Sequence, residues 1–366
     1  MSVRSDFLII GGGIAGLLTA RELVTHGYAT TLIEKQKVGN ESSWAGGGIL
    51  FPIYPWRQSE SLFPLCQESL RIYPELAYEL KHSTGIDPEL CISGMLILDA
   101  PDQAALAWCE KHRVTASVLN LEDSDILPGD AWHESMPVLW LPDIAQIRNP
   151  KLITALRADL KSQGVVLFEE SEALRFVVSH DRIECVETQN KSLCAAEIVI
   201  AAGAWSKMLA SPFDPRPEIV PVKGQMLLYK TQPGYLSQIV LYQDHYLIPR
   251  LDGHILVGST LEYTGYDKGV TRAARIQLDS FARRIFPTLA ENALIGHWTG
   301  LRPGSPLGIP YIGRHPNIEN LSFNCGHFRN GFAMGPASAA LLADLLIGRT
   351  PRLNPEPYGF CKTRTI

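Results

Sequence analysis

The sequence lacks several features that would assign it to a class of function. It contains no long basic run, and its formal net charge of −5 argues against a nucleic-acid-binding surface. No apolar stretch reaches the roughly 18 residues of a membrane span, because the best candidate, 337–347, is interrupted by Asp344. The first residues also lack the apolar stretch and cleavage site of a secretory signal. We therefore expect no nucleic-acid partner and no membrane partner.

Closely spaced cysteine pairs are missing as well. The seven cysteines are odd in number and include no C-x-x-C pair. They are Cys66, Cys91, Cys109, Cys185, Cys194, Cys325 and Cys361. The ten histidines show no spacing typical of metal ligands. We therefore expect no disulfide framework, no metal site and a reducing, cytoplasmic location.

The composition is that of an ordinary globular protein, and the length of the chain favours two subdomains. Its 366 residues exceed the size at which one hydrophobic core usually stops growing. Hydrophobic residues make up 46% and charged residues 19%, which is not the composition of a disordered chain.

The N-terminal segment predicts one βαβ unit. Residues 7–10 form a short apolar run bounded by glycines, which indicates a buried parallel strand. Residues 14–26 carry apolar side chains at helical spacing, and 30–34 form a second strand. Parallel strands joined in this way need a right-handed crossover.

The remaining segments change character along the chain. Residues 150–164 predict a helix, 165–168 and 197–202 predict strands, and 337–347 predict a last helix. The four prolines within 211–221 favour an extended crossover. The alternating segments 225–229, 246–249 and 254–258, with a turn at 251–253, predict antiparallel hairpins. The order indicates a discontinuous nucleotide-binding domain with an inserted β-rich domain.

A glycine-rich turn follows the first strand. Gly11, Gly13 and Gly16 fit G-x-G-x-x-G, with Ile14 and Ala15 at the start of the helix and Glu34 at the end of the next strand. Gly11 permits the tight turn, Gly13 lets the backbone approach a pyrophosphate, and Gly16 permits close helix–strand packing. Glu34 would accept a ribose hydroxyl. The alternatives are a turn without a ligand, and NAD rather than FAD.

Two further segments bear on the choice between NAD and FAD. The run from Ser42 to Gly48 places three glycines where the chain could pass beside a flat ring, although a plain surface loop is the alternative. Its candidate contacts are Ser42, Ser43, Ala45, Gly46, Gly47 and Gly48. A second strand end, 201–206, contains Gly203 and Trp205. NAD dehydrogenases have no known need of either segment, so both favour a flavin.

At this point the residues resemble a known family. The runs 298–304, 310–316 and 326–331, with 221–225 and 246–250, are similar to those of the D-amino acid oxidase superfamily of flavoproteins. Within it, the chain resembles the glycine oxidases associated with thiamine biosynthesis. The resemblance covers nearly the whole chain. It implies an α/β fold: a Rossmann-like, glutathione-reductase-like FAD-binding domain with an inserted substrate domain of mainly antiparallel sheet. The implied FAD-binding domain is 1–84, 146–215 and 300–366, and the substrate-binding domain is 85–145 and 216–299.

The resemblance also implies where FAD binds and that it binds non-covalently. Related sarcosine oxidases tether the flavin to a cysteine near the equivalent of Leu301, whereas the nearest cysteine here is Cys325. The ADP half would lie on the N-terminal turn and Glu34, and the flavin ring beside Ser42–Gly48. The remaining cofactor-binding residues that we expect are Lys35, Ala173, Gly203, Trp205, His327, Asn330, Gly331 and Phe332.

Three substrate-facing residues carry over from the family. Arg302 corresponds to the arginine that binds the substrate carboxylate, Tyr246 to a tyrosine that assists it, and Arg329 to a second active-site arginine. A guanidinium suits this task because its paired N–H donors grip both carboxylate oxygens. The alternatives are a structural Arg302 paired with a surface carboxylate, and a Tyr246 that only packs. Two departures from the family, Leu261 for a methionine and Asp244 for a histidine, leave the size and charge of the substrate open.

The implied reaction is FAD-dependent oxidative deamination of glycine or another small amino acid or amine, such as sarcosine, D-alanine or D-proline. Hydride leaves Cα for the flavin, the imine hydrolyses to glyoxylate or an α-keto acid and ammonia, and molecular oxygen is reduced to hydrogen peroxide. No general base is needed if the amine binds neutral. The alternatives are a D-amino acid dehydrogenase that passes electrons to quinone and a flavin-dependent tRNA-modifying domain. The resemblance also implies a homotetramer.

Overall fold

The structure is a computed structural model that describes residues 3–99, 101–121, 127 and 137–360. Two eight-stranded sheets form the framework of this part of the chain. The strands are β1 (Val3–Ile10), β2 (Thr30–Ile33), β3 (Cys91–Ile92), β4 (Met95–Ile97), β5 (Ser117–Asn120), β6 (Pro137–Leu141), β7 (Ala145–Gln146), β8 (Val166–Phe168), β9 (Arg175–Ser179), β10 (Arg182–Glu187), β11 (Ser192–Ile200), β12 (Val220–Lys230), β13 (Ile239–Tyr242), β14 (His245–Pro249), β15 (His254–Gly258), β16 (Ala293–Gly304), β17 (Tyr311–Arg314) and β18 (Leu321–Cys325). The α-helices are α1 (Ile14–Thr25), α2 (Ser42–Ala45), α3 (Leu62–Thr84), α4 (Gln103–His112), α5 (Asn149–Ser162), α6 (Ser206–Leu209), α7 (Arg272–Ile285) and α8 (Gly331–Ile347).

The first sheet is mainly parallel. Its strand order is β17-β18-β11-β1-β2-β8, and the β9–β10 hairpin attaches to β11. The apolar run of β1 is continuous because both of its faces are buried: Phe7 and Ile9 join the cluster under α1, α3, α5 and α8, whereas Leu8 and Ile10 join the cluster on the opposite face. This architecture confirms the predicted Rossmann-like α/β fold.

The second sheet is mainly antiparallel, as predicted. Its strand order is β16-β12-β15-β14-β13-β4-β6-β5, and in the described chain only the β13–β4 pair is parallel. Helix α7 covers one face, where Leu278 packs with Leu247 of β14. The neighbouring residue Tyr246 points to the other face and belongs to the hydrophobic cluster there, which also contains Trp108 of α4. Alternation along β14 therefore separates the α7 side of the sheet from the side on which Tyr246 lies.

The longest strand pair of the second sheet, β12 with β16, also reaches the first sheet. Gly224 of β12 is opposite Gly300 of β16, and Val222 is opposite Arg302. A Cβ on Gly300 would lie 2.7 Å from the Cβ of Ala45 in α2, so β16 runs directly past that short helix. The pair thus places residues of the second sheet beside α2 and the glycines that follow it.

One expectation about cysteines was wrong. Cys185 and Cys194 form a disulfide. They lie on the antiparallel strands β10 and β11, where Val186 pairs with Leu193, so the next pair outward brings the two cysteines opposite each other. A spacing of nine residues gave no sign of this, because only the hairpin register creates the contact. Cys66, Cys91, Cys109 and Cys325 are not part of a disulfide among the described residues, and Cys361 lies outside them.

The described residues contain neither a helix suited to a membrane nor a cluster of side chains suited to a metal ion. Across these ranges no helix is both long enough and apolar enough to span a bilayer. Nor do the same residues bring three histidine, cysteine, aspartate or glutamate side chains together as a metal site.

Candidate active site

A cavity of about 690 Å³ lies between the two sheets and collects the predicted site residues. All of them line it except Gly16. From the nucleotide-binding side these are Gly11, Gly13, Ile14, Ala15, Glu34, Lys35, Ser42, Ser43, Ala45, Gly46, Gly47, Gly48, Ala173, Gly203, Trp205, His327, Asn330, Gly331 and Phe332. Tyr246, Arg302 and Arg329 complete the set. Residues more than 300 positions apart in the chain therefore line the same cavity.

The turn between β1 and α1 requires glycine for steric reasons. Gly11 has a φ of 118°, and a Cβ there would lie 2.4 Å from the carbonyl oxygen of Ala201. A Cβ on Gly16 would lie 1.9 Å from the carbonyl oxygen of Gly11, so Gly16 serves helix–strand packing behind the cavity. The backbone N–H of Ile14 donates to Ser43 Oγ at 2.9 Å, which ties the start of α1 to α2. The N-terminus of α1 borders the cavity, a position that favours an anion.

Glu34 is oriented by the same turn. Its Oε2 accepts from the backbone N–H of Gly12 at 2.8 Å, and its Oε1 accepts from the N–H of Gln36 at 2.9 Å. Each carboxylate oxygen has a further lone pair. The side chain therefore borders the cavity in a fixed position with capacity left for a hydroxyl donor.

Lys35 and Trp205, predicted separately, contact each other at the cavity wall. Lys35 Nζ lies 3.4 Å from the centroid of the Trp205 ring, a cation–π contact. Burial lowers the pKa of the Lys35 ammonium, and the neighbouring Glu41 carboxylate opposes that effect. Tyr266 stacks at a tilt on Trp205, with 5.6 Å between ring centroids, and its hydroxyl donates to the carbonyl of Ala204 at 3.2 Å.

The three glycines after α2 form a backbone surface without side chains. A Cβ on Gly47 would lie 2.4 Å from Ile248 Cδ1, and one on Gly48, whose φ is 71°, would lie 2.0 Å from the carbonyl oxygen of Ile147. Arg250 Nη2 donates to the carbonyl of Gly47 at 2.7 Å and holds this backbone in place. The glycines thus let this backbone pack closely against Ile248 and Ile147, and the segment lines the cavity with backbone alone.

His327 lies at the opposite wall, ahead of α8, in its neutral form. Burial lowers its pKa to about 4. Ser338 Oγ donates its proton to the carbonyl of Met334, so it accepts from His327 Nε2–H at 3.1 Å, which fixes the tautomer. Asn330 donates from Nδ2 to Gln58 Oε1 at 3.0 Å. Both residues are therefore held by the protein itself.

Arg302 is surrounded by neutral acceptors. Its Nη2 donates to Ser259 Oγ at 2.6 Å and its Nη1 to the carbonyl of Thr260 at 3.2 Å. Burial lowers the pKa of the guanidinium, Tyr246 opposes the effect, and Arg329 adds to it. Within the described ranges its hydrogen bonds go to a hydroxyl and to carbonyls, not to a carboxylate. The alternative of a structural arginine paired with a surface carboxylate finds no support.

Tyr246 and Arg329 complete the polar end of the cavity. Tyr246 is buried, and its hydroxyl donates to Met226 Sδ at 3.6 Å, a weak bond that a better acceptor can replace. Arg329 lines both this cavity and a second one of about 390 Å³. Asp244 and Leu261, the two departures from the family, line the second cavity.

The sequence analysis gave no role to several residues that line the main cavity. Gly224 is the clearest, because a Cβ there would meet the Arg302 guanidinium. Met226, Phe51 and Cys325 also line it. Gly224 lies in a run that carried the family resemblance, but only the β12–β16 register shows which side chain needs the space.

Comparisons with known proteins extend over nearly the whole chain. Residues 6–345 match the family described as FAD dependent oxidoreductase (DAO). The chain is 42% identical over 353 residues to the glycine oxidase of Pseudomonas aeruginosa, covering 96% of this chain and 97% of that protein. It is 31% identical over 377 residues to the bifunctional protein ThiO/ThiG of Synechocystis, covering 100% of this chain and 55% of that protein. The crystal structure of glycine oxidase from Geobacillus kaustophilus is similar with a TM-score of 0.93 at 25% identity, covering 98% of this chain and 99% of that one.

Proposed function

The chain belongs to the family of FAD-dependent oxidoreductases, and from this premise we propose that it oxidises the amine of glycine or another small amino acid. Membership confirms the predicted D-amino acid oxidase type of enzyme and FAD as its cofactor. Glycine as the preferred substrate, and a link to thiamine biosynthesis, are proposals supported by the similarity to glycine oxidases and to ThiO/ThiG.

The residues of the main cavity fit FAD. The side-chain-free turn at Gly11–Gly13 and the N-terminus of α1 suit the pyrophosphate, Glu34 suits a ribose hydroxyl, and the backbone at Gly46–Gly48 suits the ring. When bound, FAD supplies the acceptor for the hydride from the substrate Cα. We propose that FAD is held without a covalent bond. Flavin released into the supernatant by acid precipitation is the expected result.

The observation that carries the substrate proposal is the set of partners around Arg302. A guanidinium that is held by Ser259 and Thr260, without a carboxylate partner in the described chain, is suited to a carboxylate from outside. We propose that it binds the substrate carboxylate and fixes the orientation of Cα. The Tyr246 hydroxyl would leave Met226 and donate to the same carboxylate, since an anionic oxygen is a stronger acceptor than a thioether.

Arg329 would add positive charge at the same end of the cavity. Arg302 and Arg329 line the same cavity, and the charge of Arg329 lowers the pKa of the Arg302 guanidinium. Two positive charges favour an anionic substrate group and disfavour an ammonium, which suits binding of the amine in its neutral form. We nominate no general base.

The test is the response of the bound flavin to candidate substrates. Anaerobic addition of glycine, sarcosine, D-alanine or D-proline is expected to bleach the flavin, and air is expected to restore its colour with release of hydrogen peroxide. A flavin that none of the four reduces would refute the proposal. Rapid bleaching that an artificial acceptor reverses but oxygen does not would favour the quinone-linked dehydrogenase instead.

Three further expectations remain proposals. They are the assignment of 1–84, 146–215 and 300–366 to the FAD-binding domain with 85–145 and 216–299 as the substrate-binding domain, assembly as a homotetramer, and a cytoplasmic location. Light scattering of the purified protein tests whether it assembles as a homotetramer.

A further inference from the structure

Arg250 is a buried arginine to which the proposed function assigns no role. It comes directly after β14, and alternation places its side chain on the same face as Tyr246 and Ile248. A Cβ on Gly47 would lie 2.4 Å from Ile248 Cδ1 and 3.5 Å from a ring carbon of Tyr246. This face of β14 therefore packs along the segment Gly46–Gly48, which lines the main cavity.

The guanidinium of Arg250 donates only to neutral oxygen atoms of the described chain. Nη2 donates to the carbonyl of Gly47 at 2.7 Å, and Nη1 donates to Gln146 Oε1 at 2.8 Å and to the carbonyl of Ile147 at 3.1 Å. The residue is only 7% exposed. Burial lowers its pKa to about 10, and the charge of Arg148 acts in the same direction. The group is therefore still a cation at neutral pH.

The acidic residues whose charges act on Arg250 are paired with other cations. Glu89 and Asp252 both accept from Arg148 Nη1, at 3.1 Å and 2.7 Å. Glu89 also forms an ion pair with Lys151. Burying a charge without an ionic partner costs stability, whereas an uncharged side chain could also donate to neutral oxygens. The positive charge of Arg250 is therefore the feature that packing does not explain.

The trans peptide between Gly47 and Gly48 connects this cation to the cavity. The carbonyl and the N–H of a planar trans peptide point in opposite directions, so a carbonyl directed at Arg250 leaves the N–H of Gly48 directed away from it. Gly48 is buried and lines the cavity. Among the described residues its N–H donates to no acceptor, and a buried N–H group without a partner is rare. It is therefore a donor for a ligand in the cavity.

A charged donor on the carbonyl strengthens the N–H of the same peptide. Electron density is withdrawn through the C–N bond, and hydrogen bonds in a chain polarise one another in this way. Hydrogen bonds to charged groups are also roughly twice as strong as those between neutral groups. The charge of Arg250 thus acts on the cavity through Gly48, although the guanidinium itself does not line the cavity.

We propose that Arg250 is a positioning residue for the flavin: through the Gly47–Gly48 peptide it directs a strengthened N–H donor at the ring and stabilises the negative charge that the ring acquires on reduction. The inference rests on the proposed position of the ring beside Gly46–Gly48. Reduction adds two electrons to FAD, and a donor beside the ring favours the reduced form. Arg250 would thereby increase the driving force for hydride transfer from the substrate.

The experiment removes the charge in two ways in the flavin-loaded enzyme. Arg250→Met removes the guanidinium, whereas Gln146→Glu keeps it and places a carboxylate at the atom that accepts from Nη1 at 2.8 Å. Sulfite is the probe, because its sulfur adds reversibly to N5 of an oxidised flavin and leaves negative charge on the ring. The bleaching of the flavin absorbance gives the dissociation constant of sulfite, and the midpoint potential is measured on the same samples.

We expect both variants to raise the dissociation constant of sulfite by about tenfold, as the loss of a charge-assisted hydrogen bond predicts. The midpoint potential should fall by about 30 mV, the equivalent of a tenfold change for two electrons. Arg250→Lys keeps a charge, so its sulfite constant should lie between those of Arg250→Met and the unmodified enzyme. Gln146→Glu should keep its thermal stability, since the bond from Arg250 to Gly47 stays in place. A merely structural role for Arg250 predicts no change of the flavin in this variant.

Each of the two variants has a control. Arg21→Met removes an arginine of α1 that is paired with Asp159 and Glu79. Gln103→Glu adds the same negative charge at an exposed position at the start of α4. Neither residue lines the cavity, so the sulfite constant should stay within about twofold of that of the unmodified enzyme.

The outcomes separate this inference from the proposed function. Weaker sulfite binding in Gln146→Glu supports the inference, as does weaker binding in a folded Arg250→Met variant. Normal sulfite binding and a normal potential in either of them overturn it, because the charge has then been removed or compensated without effect. Reduction by glycine and the other amines is measured separately on the unmodified enzyme. If none of them reduces a flavin that binds sulfite normally, the proposed function fails and the inference about Arg250 does not.

Discussion

Gly224 and Arg302 are in such close contact that a Cβ at position 224 would lie 2.2 Å from Nη1 of the guanidinium. The two residues belong to neighbouring strands, β12 and β16, and the absence of a side chain on one strand creates the space for the side chain of the other. The glycine is therefore part of what places the arginine.

Gly224→Ala is expected to displace Arg302 and raise the KM for glycine by about tenfold or more, because a methyl group and the guanidinium cannot share that space. Flavin content should stay normal, since the displaced group lies at the substrate end of the cavity. Steady-state kinetics and the flavin absorbance of the purified protein measure both. Gly359→Ala, whose new Cβ would approach no atom nearer than 3.8 Å, is the matched control.

Arg302→Ala is expected to yield a yellow, folded protein whose affinity for glycine falls by about tenfold to a hundredfold. The loss corresponds to a charge-assisted hydrogen bond of about 1.5–3 kcal/mol. Arg302→Lys should recover only part of it, because an ammonium lacks the paired donors of a guanidinium. Arg314→Ala, which removes an arginine paired with Glu197 on the protein surface, is the control. An Arg302 variant that loses only its flavin would contradict the assigned role.

Gly16→Ala is expected to abolish flavin binding or folding. The new Cβ would lie 1.9 Å from the carbonyl oxygen of Gly11, so α1 must move away from the turn that faces the cavity. Flavin absorbance relative to protein absorbance, together with thermal unfolding, reports the effect. Gly27→Ala also introduces strain at a φ of 86°, but no atom lies within 4 Å of its new Cβ. That variant should be less stable by about 1 kcal/mol and retain its flavin.

The buried, neutral His327 predicts a loss of stability in acid. Its pKa is 6.5 in an exposed state and about 4 in the folded protein, because burial disfavours the imidazolium. Below pH 6.5 the unfolded chain therefore binds a proton that the folded chain does not, and the free energy of unfolding falls until the pH reaches about 4.

This contribution amounts to about 3 kcal/mol over that interval. In His327→Asn, which keeps a donor for Ser338, it is expected to disappear. Denaturant unfolding of both proteins between pH 4 and 6.5 measures the difference. Parallel curves for the two proteins would show that the histidine is not the group responsible.

The sequence predicted the parts of the fold whose signals are local. The strand at β1, the glycine turn and α1 follow from adjacent residues. Ala173, His327, Asn330, Gly331 and Phe332 do not end any predicted element and were expected only from the family resemblance. The role of Gly224 could not be predicted, since it depends on the pairing of β12 with β16, in which Gly224 lies opposite Gly300, 76 positions later in the chain. The Cys185–Cys194 bond depended in the same way on a hairpin register. Helices α3 and α7 and strand β16 were not predicted either.

The register of β16 places Arg302 beside Gly224 of β12, and it also sets the distance between Arg302 and Gly300. Gly300, which passes against α2, and Arg302 are two residues apart and therefore project to the same side of the strand, about 7 Å from each other. The strand thus fixes the distance between α2, beside which we propose that the flavin ring lies, and Arg302, which we propose binds the substrate carboxylate. Inserting or deleting a single residue between those two points would rotate the arginine to the far side of the sheet. We therefore expect this enzyme to tolerate substitutions in β16 far more readily than insertions or deletions there.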